Sequence, residues 1–168
     1  MAMDKDLDKK EDNLDILKEK YDELKVKYDL PEFYELNKLF DIEDVDTETD
    51  FLLRRIRRVI TERIAGYSRF VDVILNPSNA PVFFFNLIKK IDNGKKQAIT
   101  EVYEILGNLE MEIIILDLDY SEKKEAEFIK KVIDLFDKRI KKDLLEVVKS
   151  LGAVSLDDKK ETSRSYFG

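Results

Sequence analysis

The chain has 168 residues, 43% of them apolar and 40% charged, so it can bury roughly two thirds of its unfolded surface behind a coat far more ionised than the usual ~25% charged share. It contains no His and no Cys, which excludes disulfide frameworks, thiolate nucleophiles, zinc fingers, iron–sulfur clusters and imidazole acid–base chemistry. With 5 Gly and 3 Pro, it lacks the turn residues that β-sandwiches need every ~8–12 positions, so the expected class is all-α, an irregular bundle of about six helices.

No segment approaches the ~18–20 apolar residues of a membrane span, and no apolar run follows a basic start. A cytoplasmic protein with no membrane partner and no cofactor is expected. The net charge of −7 conceals a polarity along the chain. Residues 1–50 carry 18 acidic and 8 basic side chains, residues 51–100 carry 3 and 10, and residues 101–168 carry 16 and 12. The basic middle suits an anionic partner, or an acidic head folded back on it.

Residues 1–10 are nearly all Asp, Lys and Glu and are expected to form a disordered tail. A single helical domain is expected over 11–152 and a mobile tail over 153–168. In chain order, Leu14, Leu17, Tyr21, Leu24 and Tyr28 form a three/four stripe on a helix from about Asp12 to Asp29, too short for an independent coiled coil and therefore docked on the domain. Pro31 ends it and opens a short helix carrying Phe33, Leu36, Leu39 and Phe40.

The acidic stretch Asp41–Asp50 places carboxylates at alternate positions from Asp44 in the manner of a calcium loop. It has Thr49 where the turn glycine belongs and Arg55 where the closing glutamate belongs. The better reading is a capping box, Thr47 with Asp50, in front of a helix from about Glu48 to Leu75. On that helix Leu53, Ile56, Val59, Ile60, Ile64, Tyr67, Phe70, Val71 and Ile74 share one face, with Arg54, Arg55, Arg58 and Arg69 opposite. Arg57 joins these arginines as a candidate contact to a partner or to RNA. Arg63 points into the middle of the apolar stripe, and a buried guanidinium requires an anion. Glu101 and Glu112 are the expected partners.

Asn76 to Pro81 is read as a turn, with Asn79 capping a helix over about 80–92. There Phe83, Phe84 and Phe85 span ~200° of helix. Either all three sit between neighbouring helices, or one, with Phe85 the candidate, faces a partner. Asn93 and Gly94 are read as the helix end. A helix from about Lys95 to Leu118 follows, its periodicity outweighing a strand-like Ile113–Asp119. The last segment, 122–151, has its stripe interrupted near Asp137, where a kink or restart is expected.

Gly66, Gly94, Gly107 and Gly152 lie far apart, so no phosphate loop exists. Glu101 and Glu104 have the spacing used by some helical Mg²⁺-dependent nucleotide pyrophosphohydrolases, but the second Glu/Asp pair is missing, because Ile113 follows Glu110 where Asp is needed.

The stretches LPEFYELNKLFDIEDVD (30–46), LLRRIRRVITERI (52–64), NPS (76–78) and DLDYSEKKEAEFIKKV (117–132) resemble a small all-helical archaeal protein family of unassigned function over most of residues 14–150. The resemblance implies a helical fold and carries over no functional residue. The expected function is a non-catalytic protein-interaction module, an adaptor or assembly factor. The alternative is an RNA- or ribosome-associated factor using the arginine face, with a Mg²⁺-dependent hydrolase third. Oligomeric state is left open.

Overall fold

The structure, a computed structural model, describes residues 13–152 in full apart from the side chain of Asn79, and traces the first helix back to Ala2 as backbone. The protein is all-α, and among the described residues there are six α-helices and no strand. They are α1 (Ala2–Tyr28), α2 (Phe33–Phe40), α3 (Leu52–Leu75), α4 (Val82–Lys89), α5 (Asn93–Leu118) and α6 (Glu122–Leu135). A 3-10 turn, Pro77–Asn79, precedes α4. After α6 the chain passes through a π-helical segment, Phe136–Ile140, and stays helical to residue 152. The interruption expected near Asp137 is thus a change of helical pitch within one continuous run. α1 begins well before Asp12, and the tails expected over 1–10 and 153–168 lie outside the fully described residues.

The residues group into two compact units. The first comprises the chain up to Ala65 together with Leu109–Asp134. Its core contains Leu17 and Tyr21 of α1, Leu36 and Phe40 of α2, Ile56, Ile60 and Ile64 of α3, Leu109 and Ile113 of α5, and Phe128, Ile129 and Val132 of α6. The stripe on α1 docks as expected. The Tyr21 ring meets Phe33 edge-on at 5.5 Å while its hydroxyl donates to the Pro31 carbonyl at 2.8 Å, so the ring is buried without stranding the oxygen. α2 ends on Asp41 at φ 58°, a left-handed turn that a short polar side chain tolerates. The Asp41 N–H donates to the Asn37 carbonyl and Asn37 Oδ1 accepts the Ile42 N–H.

Two sequence expectations at helix ends are corrected. Thr47 is buried with its hydroxyl donating to Asn13 Oδ1 at 2.8 Å, and it lies too far ahead of the first turn of α3 to form a capping box. α3 starts later, at Leu52, with Thr49 Oγ1 accepting the Phe51 N–H just ahead of it. Asn93 and Gly94 do not end a helix but begin α5, because Asp92 Oδ1 accepts the Lys95 N–H at 2.9 Å and serves as its cap.

The second unit comprises Gly66–Asn108 with the chain from Leu135 onward. Val71 and Ile74 of α3, Leu87 and Ile88 of α4, and Ile99, Val102 and Leu106 of α5 are buried in it, together with Phe136, Ile140, Leu144 and Val147 of the final helical run. Tyr67 lies against Phe136 at 5.6 Å and Phe70 against Phe84 at 6.5 Å.

Candidate interaction surface

The arginines on the first turns of α3 do not act as one face. Arg57 is only 1% exposed, and its Nε donates to Glu125 Oε2 of α6 at 2.7 Å. Its Nη2 donates to Asp117 Oδ1 near the end of α5 at 2.5 Å. Glu125 is wholly buried, in the first turn of α6, where the positive helix end favours a carboxylate. Burial pushes the Glu125 carboxyl above its ordinary range, while the hydrogen bond and charge of Arg57 pull the other way. Glu125 Oε1 has no hydrogen-bond partner among the described residues, so Arg57 is the anion's main support.

Arg54 sits above this pair. Its Nη2 donates to the Asp117 carbonyl at 3.2 Å, one of the last carbonyls of α5, and its guanidinium lies over the Tyr120 ring at 5.2 Å. Tyr120 in turn meets Phe51 edge-on at 5.0 Å. Residues 51 and 54 pair with 120 and 117 in falling order, so α3 and the end of α5 run antiparallel here. Arg58, one turn past Arg54, therefore lies level with the turn of α5 that carries Ile114.

The buried arginine is accordingly Arg57 and not Arg63, which is half-exposed and reaches Asp41 at 3.4 Å. The expected partners of Arg63 are engaged elsewhere, Glu101 by Arg139 and Glu112 by Lys131. The reason is geometric. At ~100° per residue the buried positions of α3 centre near Ile60, and Arg57 and Arg63 both lie roughly 60° off that line, on opposite sides. Drawing the stripe through Val59 and Phe70, which the structure leaves part-exposed, shifts its centre toward Arg63. Helix α6 covers the other edge. Glu125 was legible in part: it precedes Phe128, Ile129 and Val132 at the three, four and seven spacing that marks a buried face.

Of the candidate surface residues, Arg55 and Arg58 in the first unit are exposed and have no ion-pair partner among the described residues. Arg54 is partly covered, and Arg57 is removed from the surface. Arg69 is exposed but belongs to the second unit. Phe85 is part-exposed with the Lys89 ammonium over its ring at 4.2 Å, whereas Phe83 is the outward phenylalanine of the three. α4 turns Leu87 and Ile88 inward, which puts Phe84 on their line and Phe83 and Phe85 roughly 90–110° off it on opposite sides, and of these two Phe83 is the exposed one.

Among the described residues no group of three carboxylates could hold a metal ion, and no helix is long and apolar enough to cross a membrane. No family model, curated protein or solved structure matches the chain.

Proposed function

We propose that this protein is a non-catalytic helical interaction module of the cytoplasm, an adaptor or assembly factor, whose partner surface is the arginine ridge on the first half of α3. The observation that carries this reading is the contrast among neighbouring arginines. Arg57 is locked to Glu125 and Asp117, and Arg54 is laid over Tyr120, whereas Arg55 and Arg58 stand exposed without an ion-pair partner among the described residues. The buried pair fixes the rotation of α3 and so the direction of the free guanidiniums. Arginine offers planar, bidentate recognition of carboxylates that lysine does not. The chemistry available elsewhere supports the same reading, since the chain has no His or Cys and Glu101, Glu112, Asp117, Glu122 and Glu125 all face cations.

The test is affinity capture from native lysate with the full chain and with Arg55→Glu/Arg58→Glu. Both positions are exposed, so the variant keeps its fold, and it is expected to lose partners that the wild type retains. An unchanged partner set overturns the assignment. A retained nucleic acid whose binding falls steeply with salt would move these arginines to phosphate recognition instead.

A further inference from the structure

We draw no further inference here: the strongest candidate, the exposed apolar line of Met111, Ile114, Ile115 and Leu118 on the outer face of α5, carries nothing, because the edge beside it mixes Arg55 and Arg58 with Glu62 and Glu110 and nothing in the structure shows what covers it.

Discussion

Removing one side of the Arg57–Glu125 pair at a time, and then both, separates the attraction between the two charges from the cost of burying each. Arg57→Met keeps most of the side-chain volume but leaves Glu125, wholly buried, with no donor among the described residues on Oε2 or on Oε1. Breaking a buried pair from one side costs ~3–5 kcal/mol. Glu125 escapes part of that by taking up a proton, since burial already pushes its carboxyl upward, so about 3 kcal/mol is expected near neutral pH. Glu125→Leu leaves Arg57 with Asp117 at 2.5 Å, a half-exposed acid, and the expected loss is smaller, about 2 kcal/mol. The double variant Arg57→Met/Glu125→Leu removes both desolvation costs. It is expected to lie within ~1 kcal/mol of wild type, a coupling of about 4 kcal/mol between the two sites. Urea unfolding at pH 7 followed by dichroism, with midpoint and slope fitted for all four proteins, measures this. If the two single losses simply add in the double variant, or if Arg57→Met costs under ~1 kcal/mol, the pair is not the buried support described here.

The remaining predictions concern the surface and the backbone. Arg63→Ala is expected to change stability by less than ~0.5 kcal/mol, because Arg63 and Asp41 are both at least half-exposed and 3.4 Å apart; a loss above ~2 kcal/mol in the same urea assay would restore Arg63 as a buried charge. Gly107→Ala is expected to stabilise by ~0.5–1 kcal/mol. The site is exposed within α5, its φ is not positive, and an added Cβ meets nothing within 4 Å; a lowered melting temperature would contradict that. Lys27 and the Tyr28 hydroxyl both donate to Glu122 Oε1, at 2.8 and 2.6 Å, and hold its carboxyl below the ordinary 4.5. The native state thus binds the proton less readily than the unfolded chain, so this stabilisation is complete above about pH 4.5 and is lost as pH falls through the lowered value. Glu122→Gln is expected to flatten that part of the acid limb in melts between pH 3 and 6, and identical limbs would exclude the contact.

The fold class could be read from the sequence because it depends on local terms: few Gly and Pro, and apolar residues recurring at three and four. Even the departure near Asp137 was signalled, since three consecutive polar residues, Asp137, Lys138 and Arg139, interrupt the stripe where the helix becomes π. Helix ends were less legible. A cap depends on where the first turn begins, and α3 begins at Leu52, beyond Thr47, whose hydroxyl is directed instead to Asn13, 34 residues away in the chain.

The arginines divide along the same line. Periodicity placed Arg54, Arg55 and Arg58 away from the apolar stripe of α3, and Arg55 and Arg58 are exposed there. It could not decide which residue at the edge of that stripe would be covered, because Arg57 and Arg63 stand at nearly equal angles from its centre. Only the packing of α6 against α3 decided it, by bringing Glu125 to Arg57 across 68 residues of sequence. A buried charge is tolerated where its counterion can reach it, and that depends on the neighbouring helix, which a single helix's pattern does not contain.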